Sequence, residues 1–335
     1  MKTLEKIIDE YINNEIVKHI IIRVGKGDRI IYDTARGGVN EETLFDMASV
    51  TKIFATTSLA LIALDKGLIN IEDSVDKFYP TDKKLKIKNL LTHTIGFGNK
   101  RLDKICDKPE NIADSILGIT PDIPIGTDVI YSCPGFILLG KILEKAFAGP
   151  LNDCFEELVA KPLHLENTAF LPNNREKAVN SNLIEEERGI VNDFNARFLG
   201  CVAGNAGLFS NISDLTKYVE LLLNKGHPLF SEKTFDKAVQ NYTADMRESR
   251  ALGFLYVDER YAQTGGLFEN GAIGHCGHTG QSVFVDPSSG LYVIILSDAT
   301  VFTTKKYGVE RYEKVTEMRA RLHAAIRTDL TDLIL

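Results

Sequence analysis

Apolar residues fall into two kinds of pattern along this chain, short β-rich runs and helically spaced positions, and the two occupy different places. Near the start, His19 to Val24 and Arg29 to Asp33 are short β-rich runs joined by the turn Gly25-Lys26-Gly27-Asp28, the pattern of a hairpin. Toward the other end, Gly253–Asp258, Ile273–His278, Ser282–Asp286 and Leu291–Ser297 are further short strand-like runs with turns between them. Between residues 76 and 240 helical spacing dominates, as in Leu215 to Leu223, which stops at Asn224-Lys225-Gly226. The first ten residues form an amphipathic helix. From Tyr312 to Leu335, Val315, Met318, Leu322, Ile326 and Leu330 recur at helical spacing and predict a closing helix. Strands at both ends around a helical middle predict an α+β fold: one antiparallel sheet flanked by N- and C-terminal helices, with an all-α domain inserted. The expected boundaries are 1–75 with 245–335 for the sheet domain and 76–244 for the helical one.

The strongest apolar run, Ile53 to Leu64, ends at Asp65-Lys66-Gly67 and is preceded by Ser49-Val50-Thr51-Lys52. A serine in the first turn of a buried helix, with a lysine three residues on, sets hydroxyl and amine on one face. The free N–H groups of the helix start suit an oxyanion. Ser-x-x-Lys alone is a weak pattern, and it recurs as Ser74-Val75-Asp76-Lys77. That copy sits just before Phe78-Tyr79-Pro80 and reads as a capped turn with solvated charges.

Two later segments distinguish the first copy. Tyr131-Ser132-Cys133-Pro134-Gly135 precedes a helix from Phe136 to Ala146, and Gly277-His278-Thr279-Gly280-Gln281 precedes the hairpin 282–296. With these three elements in order, the chain resembles the serine β-lactamase and penicillin-binding-protein superfamily. The resemblance is to its class C branch, with the esterases, D-amino-acid peptidases and penicillin-binding-protein 4B-like members. Asn89-Leu90-Leu91-Thr92-His93-Thr94 and Val202-Ala203-Gly204-Asn205-Ala206-Gly207 add to it, and the likeness runs over roughly residues 15 to 300. It implies an α+β fold with the active site where sheet and helices meet. It also implies Ser49 as nucleophile, Lys52 and Tyr131 as proton-transfer groups and His278 in the family's Lys/His slot. Cys133, Thr279, Gly280 and Gln281 would then contact the substrate, with the backbone N–H of Gln281 joining that of Ser49 at the oxyanion. Which of Lys52 and Tyr131 is the base stays open at this stage.

Three positions depart from the family's pattern. Cys133 stands where β-lactamases carry Asn, and a thiol is a weak substitute for an amide. His278 replaces Lys, which weakens attraction for a carboxylate at neutral pH. Asn205 stands where His is expected. The resemblance therefore implies hydrolysis of small esters or amides in preference to efficient β-lactam turnover. The alternative is a binding or scaffold protein of the same fold that acylates without turning over.

Composition narrows the rest. The chain has 335 residues, a net charge of −7 and a pI near 5.6, which argues against nucleic acid or an anionic membrane as the main partner. No run approaches the ~18 apolar residues of a membrane span. The start lacks the apolar stretch of a signal peptide. The five cysteines are odd in number and share no metal spacing, so they read as reduced thiols of a cytoplasmic protein. His275, Cys276 and His278 are close in sequence, but strand alternation separates neighbours and no metal is expected. His93 reads as a hydrogen-bonded loop residue. The expected partner is a small-molecule substrate, with no cofactor; no motif bears on oligomeric state.

Overall fold

The computed structural model describes residues 2–308 and 311–334, so Met1 and Leu335, which fall within the first and closing helices expected from sequence, lie outside the described residues. Among the described residues, nine strands form two sheets. Strands β1 (Ile20–Lys26), β2 (Arg29–Arg36), β6 (Leu255–Tyr256), β7 (Ile273–Cys276), β8 (Ser282–Val285) and β9 (Leu291–Ser297) make a six-stranded sheet in the order β2-β1-β9-β8-β7-β6. Every pairing in it is antiparallel, and β1 runs beside β9 from Ile20↔Ser297 to Lys26↔Leu291. Strands β3 (Phe45–Asp46), β4 (Ala169–Phe170) and β5 (Leu208–Ser210) form a second, three-stranded sheet. The fold is α+β, as the periodicity predicts, and the helical middle of the chain also supplies β4 and β5 to that small sheet.

Alternation along the strands divides the interior in two. On one face Ile20, Ile22 and Val24 of β1 join Leu291, Val293 and Ile295 of β9. They pack under the helices Lys2–Asn13 and Arg311–Asp329 through Leu4, Ile8, Met318, Leu322 and Ile326. On the other face Ile21, Val283, Ile294 and Leu296 meet the larger core of the helical segment, built from Ile53, Phe54, Leu59, Phe136, Leu139 and Tyr218. Phe54 stacks on Tyr218 with ring centroids 4.4 Å apart.

The helix predicted after Ser49 is helical throughout but changes pitch. A 3₁₀ turn (Ala48–Val50) leads into a π-helical stretch (Lys52–Thr57) and then an α-helix (Ser58–Asp65). Over residues 48–65 it does reach the length and mean hydropathy, 1.3, of a membrane span, contrary to the expectation from sequence. With 83% of it buried among other elements, its apolar character is that of a core helix. Elsewhere the predicted helices extend by a few residues, to Cys133–Phe147 and Ile212–Leu223. Ser74 caps a 3₁₀ turn by accepting the Asp76 N–H at 3.3 Å.

Candidate active site

The site begins with an aspartate. Asp46 ends β3, and its Oδ1 accepts the Ala48 N–H at 2.8 Å. Its Oδ2 takes the Asn192 N–H at 2.7 Å and the Ser181 hydroxyl at 3.2 Å. This turn holds Ala48 at φ +44°, a left-handed conformation unfavourable for a residue with a side chain. Ser49 follows, partly exposed, at the start of the 3₁₀ turn. Burial pushes the Asp46 carboxyl up to about 6, against the pull of its hydrogen bonds.

One turn on, Lys52 is fully buried. Its Nζ donates to Ser49 Oγ at 3.0 Å and to the Asn205 carbonyl at 3.0 Å, and lies 3.4 Å from Cys133 Sγ. From across the cleft the Tyr131 hydroxyl donates to Ser49 Oγ at 2.7 Å. Burial lowers the Lys52 pKa and raises that of Tyr131 well above its ordinary value. Both shifts favour a neutral amine beside a neutral phenol.

Tyr131 is held by its neighbours. Ser132 caps the Cys133–Phe147 helix through its hydroxyl, and its N–H donates to His93 Nδ1 at 3.1 Å. The His93 ring lies 4.7 Å from the Tyr131 ring. The Cys133 N–H donates to Asn99 Oδ1 at 2.7 Å, which leaves the thiol on the cleft side next to Lys52.

The turn from Gly277 to Gln281 forms the opposite wall. Thr279 Oγ1 and Gln281 Nε2 both donate to the Asp46 carbonyl, at 2.9 and 2.6 Å, tying this turn to the segment before Ser49. Gly280 has φ +125°, and a Cβ there would meet Ser297 Oγ at 2.1 Å, so the turn needs glycine. Thr279 and Gln281 are thus buried tethers through their side chains. His278 lines the cleft with an exposed ring, whereas the imidazole packed against Tyr131, at 6.0 Å between centroids, is that of His275. His275 Nδ1 lies 2.8 Å from the Cys276 carbonyl, which can only accept, so Nδ1 holds the proton. Burial first, then the charges of Lys52 and Arg250, hold His275 well below its usual range. Its Nε2 is then a bare acceptor.

Ser49, Tyr131, Cys133, His275 and His278 share one cleft of about 530 Å³. Sequence reasoning missed Asp46, although it lies three residues before Ser49, and it considered His275 only as a metal ligand. It also missed Arg250, which lines the cleft 97% buried with its guanidinium 5.7 Å from the Tyr131 ring centroid. In sequence Arg250 closes the charged run Arg247-Glu248-Ser249-Arg250, which looks like surface.

A serine, a lysine and a tyrosine converging on one hydroxyl, where an antiparallel sheet meets a helical segment, define a class of serine hydrolase-type proteins. The chain belongs to the beta-lactamase family, whose sequence profile matches residues 4–314. It is 28% identical over 299 residues to a "Putative D-alanyl-D-alanine carboxypeptidase" of Salmonella agona, covering 76% of this chain and 69% of that one. Among solved structures it superposes on EstCE1, a hydrolase with promiscuous acyltransferase activity, with a TM-score of 0.73 at 20% identity over 95% of this chain and 98% of that one. An octameric penicillin-binding protein homologue from Pyrococcus abyssi gives 0.72 at 18% identity over 95% and 76%. Unliganded simvastatin synthase from Aspergillus terreus gives 0.71 at 16% over 98% of each. These distant structures share the fold.

Proposed function

We propose that the protein hydrolyses a small ester or amide through an acyl-enzyme on Ser49. The observation that supports this most is the pair of contacts on one hydroxyl oxygen, Lys52 Nζ at 3.0 Å and Tyr131 Oη at 2.7 Å. A serine hydroxyl needs a base at this range, and burial shifts Lys52 toward the neutral form a base requires. Tyr131, held as a phenol, suits the role of proton relay rather than base. In this reading Ser49 Oγ bonds to the acyl carbon while its proton passes to Lys52. The carbon–oxygen or carbon–nitrogen bond to the leaving group then breaks as that proton returns, by way of Tyr131, to the departing alcohol or amine. Water repeats the sequence against the acyl-enzyme and restores Ser49. The backbone N–H groups of Ser49 and Gln281 are the proposed oxyanion donors, with His278 beside the substrate at the rim.

The name of the Salmonella agona relative adds a peptide ending in D-alanyl-D-alanine to the substrates worth testing, while Cys133 in place of an amide favours simple esters over β-lactams. The test is covalent labelling by a fluorophosphonate probe together with nitrophenyl acetate and nitrocefin turnover. Ser49→Ala is expected to lose both labelling and ester turnover, and Ser74→Ala neither. Undiminished labelling of Ser49→Ala, with the label mapped elsewhere, would remove the assignment. Labelling of the wild type without turnover would favour the scaffold alternative.

A further inference from the structure

Cys133 is the departure from the family's pattern that acyl transfer leaves without a chemical role. Its Sγ lies 3.4 Å from Nζ of the buried Lys52, and the thiol is 7% exposed on the cleft wall. Three other free cysteines keep different company. The Cys106 and Cys154 thiols donate to the carbonyls of Lys108 and Gly149, at 3.0 and 3.5 Å, and Cys276 faces Tyr261 and Gln263 at 3.5 and 3.7 Å. Cys133 thus pairs a thiol with an amine.

That pairing decides what becomes of the sulfur once it is oxidised. A sulfenic acid condenses with a thiol or, as a sulfenamide, with a nitrogen within reach. The next backbone nitrogen belongs to Pro134, which has no N–H to give up. The N–H of Cys133 itself is held by Asn99 Oδ1 at 2.7 Å. Lys52 Nζ is the nitrogen already touching the sulfur, and burial shifts it toward the neutral amine that can attack.

We propose that Lys52 and Cys133 form an oxidative cross-link site, at which a hydroperoxide converts the thiol to a sulfenic acid and Lys52 Nζ closes on the sulfur as a sulfenamide. In the first step Lys52 takes the thiol proton, since the thiolate is the reactive form. Sγ then takes the terminal peroxide oxygen as S–OH, the O–O bond breaks, and Lys52 returns its proton to the departing alkoxide or hydroxide. The sulfur is oxidised by two electrons and the peroxide is reduced to an alcohol or water. In the second step the Nζ lone pair bonds to Sγ, the S–O bond breaks, and the hydroxide leaves as water with a proton from the amine. This step involves no further oxidant, and the protein has lost two hydrogen atoms in all. Two equivalents of a small thiol reverse it: the first attacks Sγ and frees Lys52, and the second reduces the mixed disulfide so formed. While the S–N bond lasts, Lys52 cannot take the Ser49 proton, so acylation stops. That consequence rests on the hydrolase reading above; the cross-link itself does not.

The experiment separates the bond from the activity. Wild type is treated with hydrogen peroxide, digested without reductant and mapped by mass spectrometry. Nitrophenyl acetate turnover is followed in parallel, relative to each protein's own untreated rate. The peptide holding Lys52 is expected joined to the one holding Cys133, short of two hydrogens. Turnover should fall at least tenfold and return on adding dithiothreitol. Cys133→Ser should show neither the cross-link nor a dithiothreitol-reversible loss. Lys52→Met, which removes the nitrogen, should give several-fold more dimedone-trapped sulfenic acid at Cys133 than wild type does. Recovery of Cys133 from treated wild type as a free thiol, as a sulfinic acid or in a disulfide with Cys276 would overturn the proposal. A cross-link that leaves turnover untouched keeps the modification site and removes Lys52 as the base. A cross-link in a protein with no ester turnover at all keeps the site and removes the hydrolase reading. If thermal melting shows Lys52→Met to be unfolded, the mapped wild-type bond decides alone.

Discussion

Two residues on either side of Ser49 set the pH behaviour, and they act in opposite directions. Lys52 has a folded pKa below its ordinary 10.5 because it is buried. The unfolded chain therefore binds the proton that the folded one has lost, and this group's contribution makes stability rise with pH across the interval between the two values. Acylation should climb with pH through the same folded value, and Lys52→Met should abolish that limb of the rate profile, measured by stopped-flow burst kinetics. Lys52→Met and Tyr131→Phe should each slow acylation by about 10²–10⁴-fold, and the double variant by much less than the product. Near-full rates in both would end the relay assignment. Asp46 behaves oppositely. With its carboxyl pushed up to about 6 from 3.8, the folded state holds a proton the unfolded state has released, so stability falls as pH rises between those values. Cys133 gives an independent check on placement. Its thiol lies 3.4 Å from Lys52 Nζ on the cleft wall, so alkylation should inhibit ester turnover and Cys133→Ser should resist inhibition while remaining active. Equal inhibition of both proteins, with the modified residue mapped by mass spectrometry, would place the sensitive cysteine elsewhere.

Among the elements, the helix behind Ser49 depends most on close approach. Gly253 has φ +86°, and a Cβ there would lie 2.0 Å from Thr57 Oγ1 in the π-helical stretch. Gly253→Ala should therefore destabilise the protein by about 2 kcal/mol or more in urea unfolding, combining overpacking with a strained backbone. A change within about 0.5 kcal/mol would mean the π-helical stretch relaxes without cost. Such a contact is invisible in sequence because residues 57 and 253 meet only after the chain has folded. Period is more legible. The β-rich runs 19–24 and 291–297 and the 3.6-residue spacing of 315–330 are each local to one element, and they locate β1, β9 and the helix Arg311–Asp329. The single closing helix expected to Leu335 is nevertheless broken near Leu330, with a separate short helix at Thr331–Ile334. The Ser49–Lys52 pair is legible for the same reason, being one turn apart. Around Gly277–Gln281 the pattern yields the segment but not which imidazole turns inward. β7 ends at Cys276, and past it the turn exposes His278, leaving His275 against Tyr131. Asp46 illustrates a different loss: an aspartate before an apolar helix looks like an ordinary cap, yet its partners Ser181 and Asn192 lie well over a hundred residues away.

Across the whole molecule, the cleft is assembled from both sides of the main sheet's helical face, with Ser49, Lys52 and Tyr131 supplied by helix starts and Gly277–Gln281 by the turn between β7 and β8. The Asp46 carbonyl, accepting from both Thr279 and Gln281, joins those two walls. Thr279→Val with Gln281→Leu should therefore lower the melting temperature and reduce kcat/KM together; a loss of activity with unchanged melting would point instead to direct substrate contact by these side chains. The other face of the sheet is closed by the two terminal helices, joined through Arg321 and Glu10 at 2.7 Å. The pairing of β1 with β9 has a temporal consequence. A ribosome releases Ile20 long before its partner Ser297, and at about 5–20 residues per second the interval is on the order of tens of seconds. Throughout it the β1–β2 hairpin presents the β1 edge that β9 will later pair, and an uncovered apolar face, to the cytosol or to other nascent chains. Aggregation during synthesis, rather than weakness of the finished fold, is the hazard this topology creates, and slowed translation or reduced chaperone supply should lower soluble yield before any point substitution in the cleft does.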